Sequence, residues 1–148
     1  MRPSVVSHIA VPPTALADDP AAGNPMPVYL AVGRMLLGLV ALLAPGPVLR
    51  PLVGAEAERP SARYLARTVG VRDLILGALL LRATQTGEGT TQALWIGVAC
   101  DVLDAKVAFF SRSGLTRWGR RLMMGAAIAY GATGAAQAIA GAGRARQP

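Results

Sequence analysis

The chain is poor in the residues that most often carry chemistry. It has one cysteine, Cys100, one histidine, His8, and one lysine, Lys106. A single cysteine excludes an internal disulfide, a CxxC redox pair and a thiolate metal site built within one chain. Cys100 stands in an apolar run and reads as a small core residue. His8 lies in the N-terminal region, so the apolar body has no imidazole. Haem ligation by histidine, zinc–histidine sites and Ser-His or Cys-His nucleophile pairs are therefore not expected. No metal and no cofactor is expected on these grounds.

Charge is also scarce, at 16% of residues, and aromatics make up 5%. The net charge of +7 comes almost entirely from 14 arginines. They flank or interrupt apolar runs and are not interleaved with aromatics on a solvated face, which argues against nucleic-acid binding. Contact between juxtamembrane arginines and anionic lipid accounts for the same charge.

What is abundant is apolar: 53% of residues are hydrophobic and the mean hydropathy is +0.42. A chain of 148 residues forms at most one compact domain. Residues 1–27 carry six prolines with Asp18 and Asp19 and no sustained apolar period, and are expected to be a disordered tail. Ala15 to Ala17 imitates a signal-peptidase site, but His8, Pro12 and Pro13 interrupt the apolar region that such a signal needs.

Four segments follow within residues 28–143. They are Val28 to Ala44, stopped by Pro45, Gly46 and Pro47; Tyr64 to Leu81, entered through Pro60 with Ser61 as candidate N-cap; Gln92 to Phe110, after the polar link TQTGEGTT; and Leu122 to Gly143. Residues 144–148 form a short basic C-terminal tail. Only the fourth segment, 22 residues without a charge, reads as a spanning helix unaided. In the second, the aliphatic residues favour insertion by about 4 kcal/mol in total, while Arg72 and Asp73 oppose it by about 2.5 to 3.5 kcal/mol each. A soluble four-helix bundle needs a broad polar face on every helix, and the fourth segment offers only Tyr130, Thr133 and Gln137. The expected fold is thus all-α, a transmembrane four-helix bundle in the cell membrane.

Aromatic placement fits this reading. Tyr29, Tyr64 and Trp95 lie near the ends of segments and Trp118 just outside one, whereas Tyr130 is mid-segment. Seven loop arginines (50, 59, 63, 112, 117, 120 and 121) fall on one side and three (82, 144 and 146) on the other, which predicts both termini outside the cytoplasm.

Five charges remain inside the segments: Arg34, Arg72, Asp73, Asp101 and Asp104. With neighbouring helices antiparallel, all five fall about 9 to 15 Å from the arginine-rich boundary at 1.5 Å per residue. Gly97, Asp101, Asp104 and Ala108 share one helix face, as do Gly70, Asp73 and Gly77, so the carboxylates are expected to point toward packed helices. Two arginines then face three aspartates. The third carboxylate is expected to be protonated, hydrated, or met by Arg67 or Lys106. Arg72 and Asp73 diverge by about 100° on an ideal helix, so coupling between them is expected to run through Asp101 or Asp104.

Several uses of these residues stay open. Asp101-x-x-Asp104 has the form of half a magnesium–diphosphate site, but the second acidic motif that such enzymes need is missing. An ion-pair layer that fixes helix register is the favoured role, and a proton-coupled carboxylate the next. Ala127, Gly131, Gly134, Ala135 and Ala138 give small-x-x-x-small spacing, suited to packing within the bundle or to a homodimer. The run Arg112 to Arg121 reads as a basic interfacial segment that sets topology, with Trp118 as anchor and Thr116 as cap of the next helix.

The layout resembles an uncharacterised family of small four-helix integral membrane proteins with a DoxX-like arrangement. The residues that carry the likeness are Arg34 with Gly38, GVRDLILG from Gly70 to Gly77, and DVLDA from Asp101 to Ala105. The resemblance covers about residues 28–142 and implies a multi-pass architecture in which Arg72 and Asp73 matter, without assigning a substrate. DoxX-like proteins are associated with membrane redox complexes, so a redox role here would come through a partner protein or a bound quinone. The expected function is binding or assembly, as an accessory subunit or as a lipid or quinone contact, without catalysis of its own. The alternative is a small proton-coupled transporter using a membrane-embedded carboxylate. Expected partners are membrane lipids and a membrane protein or second copy, with no nucleic acid.

Overall fold

The computed structural model describes residues 24–111 and 114–144. Five α-helices make up nearly all of this: α1 (Met26–Leu43), α2 (Pro45–Val53), α3 (Pro60–Thr86), α4 (Thr90–Phe110) and α5 (Arg117–Arg144). A 3-10 helix, Gly54–Glu58, joins α2 to α3, and no strand occurs among the described residues. The expected N-terminal tail lies outside the described residues up to position 23. Met26 and Pro27 already belong to α1, so helix begins before the boundary placed at residue 28. Of the expected C-terminal tail, residues 145–148 lie outside the described residues.

Prolines open three of the helices. Each of α1, α2 and α3 has one in its first two positions, where the missing N–H has no helical partner to lose. This explains α2, which the sequence reading treats as a connection because Pro45, Gly46 and Pro47 end the first segment. The same prolines that stop α1 start a new helix at a changed direction. Ser61 is not an N-cap: α3 begins at Pro60, and the capping position is Arg59, without a side-chain cap. Thr116 does cap α5. Its Oγ1 accepts from the Gly119 N–H at 2.8 Å and donates to the Pro51 carbonyl at 2.9 Å, tying the start of α5 to α2. Gly87 and Gly89, at φ of 72° and 74°, make the three-residue α3–α4 turn with left-handed backbone that side chains resist.

The long helices run up, down, up, down. α1 lies against α3 and α5, and α4 lies against α3 and α5, so α1 and α4 occupy opposite corners. The tightest packing is within the α1/α3 pair and within the α4/α5 pair. Glycine permits the first of these. A Cβ on Gly38 would stand 2.6 Å from the Gly70 carbonyl oxygen, one on Gly70 2.6 Å from that of Gly38, and one on Gly77 2.7 Å from that of Ala31. Backbones can approach this closely only without side chains between them.

The interior is small and the exterior large. Among the described residues, seven of the ten buried hydrophobic ones are alanines, joined by Leu49, Leu80 and Leu94. Leu36, Leu43, Ile75, Leu103, Phe110 and Ile128 stand on outer faces, with Leu43 71% and Phe110 76% exposed. Two apolar clusters mark the ends: Ala31, Leu80, Leu94 and Ala138 near the α3–α4 turn, and Leu49, Ala57 and Ala66 near α2. By length and composition, α1 and the stretch Arg117–Gly143 of α5 are each sufficient to cross a membrane. α3 and α4 are long enough, about 40 and 31 Å on the helical rise, but each carries at least three charges.

Candidate functional site

Between the two apolar clusters lies a layer of charge. Arg34 leaves α1 and reaches across the bundle diagonal to α4, where its guanidinium pairs with the Asp101 carboxylate and lies 3.4 Å from the Gly97 carbonyl. Arg34 is 8% exposed and Asp101 5%. Gly97 makes room for the guanidinium: a Cβ there would lie 3.4 Å from Arg34 Nη2. Gly131 on α5 leaves similar space against Asp101.

The second pair is half-buried. Arg72 on α3 grips Asp104 on α4 through two parallel hydrogen bonds, Nη1 to Oδ1 at 2.7 Å and Nη2 to Oδ2 at 2.6 Å. This fork geometry is the strong form of an arginine–carboxylate contact. Asp73 sits between the two arginines. Its Oδ1 is 3.1 Å from Arg72 Nη2 and 3.7 Å from Arg34 Nη1.

All five charges named from the sequence are therefore linked by ion pairs. Two details differ from expectation. Arg72 contacts Asp73 directly, because its long side chain folds back along the helix and overcomes the angular divergence of adjacent positions. Neither Arg67 nor Lys106 pairs with a carboxylate of the layer among the described residues: Arg67 donates to the Leu42 carbonyl at 3.3 Å, and Lys106 is exposed. Asp73 is instead shared by both arginines.

Tyr130 joins the site from the fourth long helix. Its ring centroid is 5.3 Å from Arg34 Cζ, a cation–π contact, and Gly33 gives the phenol space against α1. By sequence alone Tyr130 is an aromatic in the middle of its segment, with no partner indicated. A mid-segment tyrosine, in a chain whose other amphipathic aromatics lie near helix ends, was the available signal. All four long helices thus contribute to one layer.

A cavity of about 90 Å³ adjoins the layer, lined by Arg72, Asp73, Asp104, Ala126, Ala127 and Tyr130 among others. This is more than a single water molecule needs. No buried side-chain nitrogen or oxygen lacks a hydrogen-bond partner among the described residues. No group of three or more histidine, cysteine or acidic residues is arranged to hold a metal ion there. Asp101 and Asp104 each face an arginine, and the arrangement holds opposite charges together across the α1/α3 and α4/α5 pairs.

Aromatic residues frame the layer. Tyr29 and Trp95 are exposed toward one end, Tyr64 and Trp118 toward the other. Beyond Tyr64, Arg63 pairs with Glu58, Arg50 lies 3.5 Å from Glu58 and Arg59 2.6 Å from Glu56, all outside the bundle core. In comparisons with family models, curated proteins and solved structures, nothing matches the chain.

Proposed function

We propose that the chain is a multi-pass integral membrane protein, a four-helix bundle that acts in binding or assembly and performs no catalysis of its own. One observation carries this reading: the inversion of polarity, with Arg34 and Asp101 buried while Leu36, Ile75, Leu103 and Ile128 stand more than half exposed on four different helices. In water such a surface is a large unsatisfied apolar patch. In lipid it is the ordinary outer face of a bundle, and intramembrane charges turn inward to meet one another.

In chain order, the two helices that are long and apolar enough to span, α1 and α5, would enclose α3 and α4, which carry more charge. The charges of α3 and α4 oppose insertion until Arg72 meets Asp104 and Arg34 meets Asp101, so membrane assembly and formation of the layer are coupled. The arginine-rich end that carries α2 faces the cytoplasm on this reading, with both termini on the other side. Kinship with DoxX-like proteins rests on the three motifs that suggest it, and the partner would be a membrane protein, a second copy, or a lipid or quinone. Fractionation tests the reading directly. The protein should stay in the membrane pellet through an alkaline carbonate wash and require detergent for release; recovery in the wash would overturn it.

A second reading is favoured by Asp73. It is a carboxylate without an arginine of its own, beside a cavity of about 90 Å³. Such a group is suited to carry a proton in a small coupled transporter. That reading requires substrate flux in liposomes to follow an imposed pH gradient and to vanish in Asp73→Asn.

A further inference from the structure

At the end of the bundle opposite α2, the α3–α4 turn closes over a groove of about 330 Å³. One wall is apolar, formed by Leu76 and Leu79 of α3 and Ile96 of α4, with Leu79 and Ile96 each about half exposed. Its rim is polar, formed by Arg82, Glu88 and Gln92. We propose that this groove is a phospholipid site that selects an ethanolamine headgroup, with Arg82 taking the phosphate, Glu88 the ammonium, and an acyl chain lying along the apolar wall.

The charges suit this occupant. Arg82 and Glu88 line the same groove, yet no ion pair joins them, and neither pairs with any other described residue. A cation and an anion held apart in one site match a headgroup that carries both signs. Phosphatidylglycerol would leave Glu88 facing a net negative lipid. Phosphatidylcholine would bring a quaternary nitrogen with no N–H to donate, whereas the ethanolamine ammonium offers three. Gln92 adds an amide that can donate to a phosphate or ester oxygen.

The depth also fits. From Arg82 to Leu76 the wall descends about 9 Å along α3, from the headgroup level into the acyl region. Exposed Trp95, adjacent to Ile96, belongs at that same level.

The site rests on the membrane reading but not on the charged layer, and one experiment separates the two. The full chain is extracted in mild detergent and titrated with dioleoyl phosphatidylethanolamine, phosphatidylcholine or phosphatidylglycerol, and retained lipid is read by native mass spectrometry. Wild type should retain the ethanolamine lipid about tenfold better than the other two, the value of one charge-assisted contact. Arg82→Ala should weaken all three lipids. Glu88→Gln should erase the preference while leaving phosphatidylcholine unchanged. Both positions are exposed, so the variants should match wild type in helicity by circular dichroism. Equal retention of the three lipids, or a preference that survives Glu88→Gln, would overturn the site while leaving the membrane reading intact. Competition by soluble glycerophosphoethanolamine at the lipid's own concentration would overturn it too, because the acyl wall would then contribute nothing. A protein that needs no detergent would overturn the membrane reading itself.

Discussion

Arg34 on α1 and Asp101 on α4 face each other across the diagonal of the bundle, and each is nine-tenths or more buried. The contact joins helices at opposite corners, each packed mainly on other helices, and so ties the α1/α3 pair to the α4/α5 pair. Removing one partner leaves the other charge buried and unmatched, which costs about 3 to 5 kcal/mol, whereas removing both can be nearly neutral. Arg34→Leu should therefore lower the thermal midpoint in detergent more than Arg34→Leu combined with Asp101→Leu. Additive effects of the two single substitutions would show that the pair is not coupled.

The same logic applies to Arg72, with its partner now defined. Asp104 receives two short hydrogen bonds from Arg72, whereas Asp73 receives longer ones from Arg72, at 3.1 and 3.3 Å, and also lies 3.7 Å from Arg34. A double-mutant cycle on Arg72 and Asp104 should give a larger coupling energy than one on Arg72 and Asp73, read from the same thermal assay. Equal couplings would mean that the fork to Asp104 is not the dominant contact.

Close packing of α1 on α3 makes a separate prediction. A methyl group at Gly38 would meet the Gly70 carbonyl, a backbone atom that cannot turn aside. Gly38→Ala should destabilise the protein by about 1 to 3 kcal/mol, as overpacking does. Gly125, on an exposed stretch of α5, has nothing within 4 Å of such a methyl. Gly125→Ala should be neutral or stabilising, by up to about 1 kcal/mol from helix propensity. Thermal midpoints of the two variants check both signs.

Much of this arrangement was legible because few charges had to be placed. Three helices of known spacing and alternating direction bring Arg34, Arg72, Asp73, Asp101 and Asp104 to one depth, and the glycines on their faces indicate which way they turn. Depth along an axis does not specify partners. That Arg34 takes the diagonal to Asp101 depends on which helices neighbour which, and that Arg72 folds back to Asp73 depends on side-chain rotamers that angular position does not fix. α2 was hidden because Pro-Gly-Pro both ends one helix and opens another, and the chemistry of proline serves either role.

Thr116 gives a test of how α2 is held. Its hydroxyl caps α5 and binds the Pro51 carbonyl, and its backbone N–H donates to the Leu52 carbonyl at 2.8 Å. Thr116→Ala should cost about 0.5 to 2 kcal/mol and speed hydrogen exchange in α2. Thr116→Ser keeps the hydroxyl and should restore both. Unchanged exchange in the alanine variant would show that the backbone link alone holds α2.

The most direct measurement of the central claim is the accessibility of spin labels placed singly at Leu36, Ile75, Leu103 and Ile128, in a Cys100→Ala background reconstituted into bilayers. These positions lie near the level of the charged layer on the outer faces of four different helices. If those faces contact lipid, all four labels will collide readily with oxygen and rarely with a water-soluble nickel chelate, while a label at Glu58 or Glu88 will show the reverse. Nickel accessibility at Ile75 and Leu103 equal to that at Glu88 would place α3 and α4 in water and contradict the account.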